Sequence, residues 1–164
     1  MNVFIDTEFT DFLDPKLISI GMAAEYGEDF YAETDYPEDL CSSFVRETVV
    51  PLLGQLPHSF VHIESLRMEI IKWLEIVRRD YEDVYICFDC ETDWDLFCHA
   101  LDNRIPSWIH PKLVWSEINE LMLFHFFESS RLPEHHALYD AQANRYAYRP
   151  LSKSNEKMTI SKTE

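Results

Sequence analysis

Basic residues are nearly missing from the first part of the chain. Between Met1 and Phe60 only Lys16 and Arg46 stand against twelve acidic residues, and all 164 residues together carry a formal net charge of −16. A protein that grips long nucleic acid by neutralising phosphates normally carries the opposite balance. Two readings fit the excess: a solubilising surface, or carboxylates that converge on divalent cations, which then bind phosphate. Charge alone does not choose between them. Long apolar runs are missing too, since no stretch reaches the roughly 18 to 20 residues that a membrane span needs. Asp6 and Glu8 interrupt the N-terminal stretch before an h-region forms, which argues against a secretory signal. The expectation is a soluble, cytoplasmic protein with no membrane association.

Cysteine is sparse, occurring as Cys41, Cys87, Cys90 and Cys98. Cys87 and Cys90 have the C-x-x-C spacing and Cys98-His99 follows, but a zinc site needs two well-spaced ligand pairs and the second is a poor copy. The C-x-x-C also falls between an expected strand and an expected helix, as in thioredoxin-like redox motifs. Against that, Cys87 belongs to the apolar alternation of the strand itself, so buried reduced thiols are expected. No internal repeat is present.

What the chain does have is enough apolar residue for a core, 46% against 27% charged, in a length that suits one domain. From Pro150 onward Ser, Thr, Lys and Glu dominate, with only Leu151, Met158 and Ile160 apolar. The reading is a domain over 1–149 and a flexible C-terminal tail over 150–164.

Along the domain, strands are expected at 2–6, 16–26 and 29–34, with Gly27-Glu28 as a hairpin turn. Pro37 and Pro51 bracket a helix at 38–49. The clearest helix is 63–79, where Ile63, Leu66, Ile70, Trp73, Leu74 and Val77 recur at three- and four-residue steps. A buried strand at 83–88 precedes a helix at 92–101, with Trp94, Phe97, Cys98 and Leu101 on one side. A short strand follows at 112–115 after Pro111, then a helix at 116–128 with Ser116 as its N-cap, and a last helix at 136–148. Strands followed by alternating helices and strands indicate a single α/β domain with a mixed sheet flanked by helices.

Three acidic segments could carry chemistry. In Asp6-Thr7-Glu8 the i, i+2 spacing on an extended chain projects both carboxylates to one face. Two like charges side by side are unfavourable unless a cation lies between them, and Mg²⁺ and Mn²⁺ prefer carboxylate oxygens; alternatively these are two solvated acids at a strand end. The second segment, Asp89-Cys90-Glu91-Thr92-Asp93-Trp94-Asp95, directly follows the 83–88 strand, where carboxylates can reach a crevice. Helix capping by Thr92 or Asp93 accounts for one such acid but not for four. The third is His135-His136-Ala137-Leu138-Tyr139-Asp140-Ala141. Asp140 falls one turn into the last helix and His135 just ahead of it, so His135 acts from the loop, and histidine is a residue type suited to taking a proton from water; a surface histidine pair is the competing reading.

In combination these segments resemble the DEDDh exonucleases, the group of RNase T, oligoribonuclease and polymerase proofreading domains. Asp6 and Glu8 match the family's D-x-E, Asp93 the acid at the middle strand-to-helix junction, and His135 through Ala141 the H-x-A-x-x-D-A at every fixed position. The resemblance covers about 2–148. The stretch from Asp6-Thr7-Glu8-Phe9-Thr10 to Leu17-Ile18-Ser19-Ile20-Gly21 is most similar to a small exoribonuclease subfamily of mycobacterial and phage proteins. Where many relatives carry D-x-E-T-T-G, this chain has Phe9 and Asp11 in place of a Thr and the Gly, and a loop without Gly has less backbone freedom. Many relatives also carry His-Asn where this chain has Phe88-Asp89, so Asp89 either assists Asp93 or stands in for it.

The resemblance implies an RNase H-like fold and a metal-dependent 3′–5′ exonuclease acting on 3′ ends of RNA or single-stranded DNA, with a homodimer as one arrangement found among relatives. It implies that Asp6, Glu8, Asp93 and Asp140 hold two Mg²⁺ or Mn²⁺ ions and that His135 takes the proton of the attacking water. Substrate contacts are expected from Thr7, Thr10 and Asp89. Phe9 is placed to stack on the terminal base or to fill the core. Arg131, Arg145 and Arg149, which flank the third motif, are expected at phosphates outside the metal site, giving a weak, salt-sensitive grip on long substrates. The alternatives are a small-substrate phosphodiesterase for dinucleotides and a non-catalytic relative that binds nucleic-acid ends or proteins.

Overall fold

The chain was analysed as a computed structural model that describes residues 1–150. The expected tail beyond Pro150 lies outside the described residues.

Strands β1 (Asn2–Phe9), β2 (Leu17–Ala24) and β3 (Asp29–Glu33) form an antiparallel meander, and β4 (Val84–Phe88) and β5 (Ile109–Leu113) add in parallel on the other side of β1. The order β3-β2-β1-β4-β5 places β1 at the centre. Every residue of β2 is buried. Such a continuous apolar strand, rather than an alternating one, requires cover on both faces.

That cover comes from helices on the two sides. On one face α2 (Ile63–Val77) and α3 (Glu91–Ala100) pack Leu66, Ile70, Leu74 and Phe97 against Val3, Ile5, Ile20 and Met22. Each fully buried aliphatic side chain there stabilises the fold by about 1.5 to 3 kcal/mol. On the other face α5 (Ala137–Ala147) lies across β1 and β2, α4 (Glu120–Ser130) leans on α5, and α1 (Ser43–Thr48) places Val45 against Ile18. This is the α/β class with a mixed sheet that the element pattern indicated.

Several boundaries differ from the sequence expectation, each for a local reason. β1 runs on to Phe9, so Asp6 and Glu8 lie within a strand rather than at its end. The single helix expected at 38–49 is a 3₁₀ turn (Glu38–Leu40) followed by α1, because Cys41 is extended and the Ser42 hydroxyl caps α1 by accepting from the Val45 N–H. β5 begins three residues before the expected 112 and contains Pro111, which the outermost strand tolerates because its free edge has no ladder partner to lose. Ser116 sits in a 3₁₀ turn (Trp115–Glu117), and the cap of α4 is Asn119, whose side-chain oxygen accepts from the Met122 N–H at 3.1 Å.

Candidate active site

The site is built where β1, the end of β4 and the start of α5 meet. Pairing of β1 with β4 ends at Phe4 opposite Cys87, so the following residues of β1 run past the ladder on that side. Thr7 fills the gap: its N–H and hydroxyl both donate to Oδ1 of Asp93, at 3.0 and 2.6 Å. Asp93, in the first turn of α3, is thereby fixed beside Asp6. A charge-assisted pair of this kind is shorter and stronger than a neutral one.

On the other side, Asp6 pairs with Gly21 of β2. A Cβ on Gly21 would stand 2.2 Å from the carbonyl carbon of Ala137 and 2.3 Å from the Leu138 nitrogen. Only glycine lets the first turn of α5 approach β2 this closely. That approach carries Asp140 toward Asp6, and the His136 N–H holds the Asp140 carboxylate by donating to its Oδ2 at 3.0 Å.

Two trios of carboxylates result. Asp6, Asp89 and Asp93 each bring one oxygen within 4.8 Å of the others, and so do Asp6, Glu8 and Asp140. Asp6 belongs to both. Burial first, and then repulsion from Asp93, Asp140, Glu8 and Asp89, raises the Asp6 carboxyl well above its ordinary range. Burial, then Asp140 and Asp93, pushes Glu8 up to about 8. Asp93 and Asp140 are each pushed up to about 7, chiefly by burial, although the hydrogen bonds from Thr7 and from the His136 N–H oppose the shift. So many carboxylates held together, with no compensating Lys or Arg among the described residues of the cleft, make a hard-cation donor set.

His135 stands at the mouth of the same cleft in a left-handed conformation, φ 62°, with its ring edge-on to Phe44 at 5.1 Å. His136 goes the opposite way. It is 1% exposed and lies between the rings of Tyr31 and Tyr139 at 4.5 and 4.0 Å. Burial lowers its pKa, and neither ring nitrogen has a hydrogen-bond partner among the described residues.

The cleft has a volume of about 820 Å³. Its acidic floor faces an aromatic wall that sequence reasoning missed apart from Phe9: Phe12, Phe44, Phe124 and Phe127. A signal for part of that wall exists in the sequence, because α4 is apolar around most of its circumference yet buries no residue. Other expected contacts lie elsewhere. Thr10 is buried, bonds to Lys16 through backbone and hydroxyl, and closes a loop rather than lining the cleft. Arg145 does not reach the cleft, because its guanidinium is bonded to Asp29 and to the Ala24 carbonyl, both at 2.9 Å. Arg131 is the left-handed C-cap of α4 and Arg149 bonds to the carbonyls of Tyr146 and Tyr148, and neither lines the cleft. No Lys or Arg is among the described residues that line it. Cys87 is buried with its thiol pushed up to about 12, while Cys90 is exposed.

No protein-family profile matches the chain, and no curated protein matches it in sequence. Among solved structures the chain is similar to the nuclease domain of 3′hExo, described as a DEDDh family member and solved bound to rAMP. The two align with a TM-score of 0.56 and 12% identity, over 88% of this chain and 87% of that one. The architecture is therefore RNase H-like, a mixed five-stranded sheet flanked by helices, and shares its fold with that domain. No helix among the described residues is long and apolar enough to cross a membrane.

Proposed function

We propose that this protein is a divalent-metal-dependent 3′–5′ exonuclease that removes nucleotides from the 3′ ends of RNA, or of single-stranded DNA. The observation that carries the reading is the sharing of Asp6 between two carboxylate trios in one cleft, with His135 at its mouth. The donor set fits Mg²⁺ or Mn²⁺, since it is all carboxylate oxygen and its acids are raised by burial and then by mutual repulsion, which a cation relieves. Asp6, Asp89 and Asp93 would hold one ion, and Asp6, Glu8 and Asp140 the other.

When bound, such cations supply Lewis-acid activation of water and neutralise charge on the phosphate. The chain itself does the positioning. Thr7 and the His136 N–H lock Asp93 and Asp140, so the carboxylates need not reorganise during the reaction. His135 is free of the core and accepts the proton of the attacking water. The attack breaks the bond from phosphorus to the 3′ oxygen, and a nucleoside 5′-monophosphate leaves. The aromatic wall seats the terminal base by stacking.

The test is a gel time course on 5′-labelled RNA and DNA with Mn²⁺, Mg²⁺ or EDTA, run beside Asp6→Ala and His135→Ala. A metal-dependent ladder shortening from the 3′ end, absent in both variants, is expected; no cleavage of either polymer would sink the reading. The lack of any Lys or Arg along the cleft among the described residues favours one second reading, a phosphodiesterase restricted to dinucleotides, which a length series in the same buffers separates.

A further inference from the structure

The cleft continues past the carboxylates. A second hollow of about 560 Å³ adjoins it, and Asp89 and Leu123 line both. This hollow lies just beyond the C-terminal ends of β4 and β5, the position at which parallel strands present ligand sites. One wall is Trp115, in the 3₁₀ turn after β5, and another is Leu121 in the first turn of α4.

Trp115 differs from the other tryptophans. Trp73 packs on Phe30, Trp94 on Phe88 and Phe97, and Trp108 under the Arg78 guanidinium. Trp115 is 66% exposed, and no hydrogen bond, ring pair or cation engages its indole among the described residues. Leu121 beside it is 76% exposed. A bulky apolar pair left open at the end of a catalytic cleft signals a binding surface rather than a packing fault.

Charge identifies what kind of contact is made there. Among the described residues no Lys or Arg lines the second hollow either, while Asp89 and Glu120 do. A single strand leaving the carboxylates through this opening meets no cationic side chain for its phosphates among the described residues. The attraction that remains is stacking of a base on an aromatic face, which tolerates any base.

The geometry points to Trp115 as the stacking platform for the base of a nucleotide upstream of the scissile phosphodiester, in a second subsite formed with Leu121 and Leu123. The inference rests on the nuclease reading and deepens it, because it makes single-stranded oligonucleotides of more than one residue the preferred substrate. Retention of the strand through this subsite comes from rings rather than phosphate contacts, and so responds little to salt.

The experiment compares a trinucleotide with a p-nitrophenyl ester of a nucleoside 5′-monophosphate, which has one base only, in Mn²⁺ with wild type, Trp115→Ala and Trp115→Phe. Trp115→Ala is expected to lower the ratio of kcat/KM on the trinucleotide to that on the ester by about tenfold, mainly through KM, with Trp115→Phe restoring most of it. An unchanged ratio overturns the subsite. In parallel, the trinucleotide is titrated with Ca²⁺ present and binding is followed by tryptophan fluorescence. Quenching that is lost in Trp115→Phe supports the subsite, and quenching that persists in that variant, or never occurs, overturns it. If wild type cleaves neither substrate, the nuclease reading fails, and the quenching result still decides the subsite.

Discussion

Gly21 and Ala137 are in backbone contact so close that a methyl group on the glycine would overlap the Ala137 carbonyl, at 2.2 Å. Because Gly21 is also the cross-strand partner of Asp6, this contact sets how far Asp140 lies from Asp6. Gly21→Ala forces α5 away from the sheet. It should destabilise the protein by about 1 to 3 kcal/mol through overpacking and abolish metal-dependent stabilisation. Thermal melts with and without Mn²⁺ check both effects; a variant that melts like wild type and still gains stability from Mn²⁺ would show that the contact is not needed.

Thr7 is expected to act on Asp93 rather than on substrate. Thr7→Val keeps the backbone donor and removes the 2.6 Å hydroxyl bond, which normally lowers the Asp93 pKa. Metal affinity at neutral pH should fall about 10- to 100-fold, the usual cost of losing a group that orients a ligand. Thr7→Ser should retain it. Isothermal titration with Mn²⁺ distinguishes the two variants, and equal affinities would remove Thr7 from the site.

The metal-free protein should lose stability as pH rises. Glu8 is pushed up to about 8, and Asp93 and Asp140 to about 7, against roughly 4 in an unfolded chain. Between those limits the folded state binds more protons than the unfolded state, so unfolding free energy falls with increasing pH. In EDTA the melting temperature is therefore expected to decline from pH 5 to 8. Saturating Mn²⁺ should shrink or reverse the decline, because a bound cation favours the ionised carboxylates. Asp6→Asn removes the charge common to both trios and should flatten the slope in EDTA; a wild-type slope in that variant would contradict the assignment.

The adjacent histidines should separate cleanly. His135→Ala is expected to lower kcat by about 10²- to 10⁴-fold, the range for a lost general base, while Mn²⁺ still raises the melting temperature. His136→Phe keeps a ring between Tyr31 and Tyr139 and removes two buried, unpartnered nitrogens. It should retain activity and be neutral or stabilising by about 1 kcal/mol. Loss of activity in His136→Phe with His135→Ala still active would exchange their roles.

Much of this was legible in the chain. The three-residue and four-residue recurrence of Leu66, Ile70 and Leu74 marks α2, and all three are fully buried. The apolar run in β2 marks a strand covered on both faces. The acids of the site lie in the segments where their spacing placed them. The aromatic wall was not legible, because Phe12, Phe44 and Phe124 occupy separate segments with no shared periodicity. Nor was the fate of Arg145, which sequence neighbourhood places near the third motif but which faces Asp29 on β3.

By itself the sequence determined the order and type of the main strands and helices and placed acids at the junction of β4 and α3, since these follow from backbone period and local capping, although several boundaries shifted. Tertiary structure alone decided that Asp6 serves both trios, that Asp89 joins Asp93 instead of replacing it, and that His136 is enclosed between Tyr31 and Tyr139. Those outcomes depend on residues far apart in the chain meeting within a few ångströms. Strand register and the close docking of α5 on Gly21 set those distances, and neither is written in local spacing.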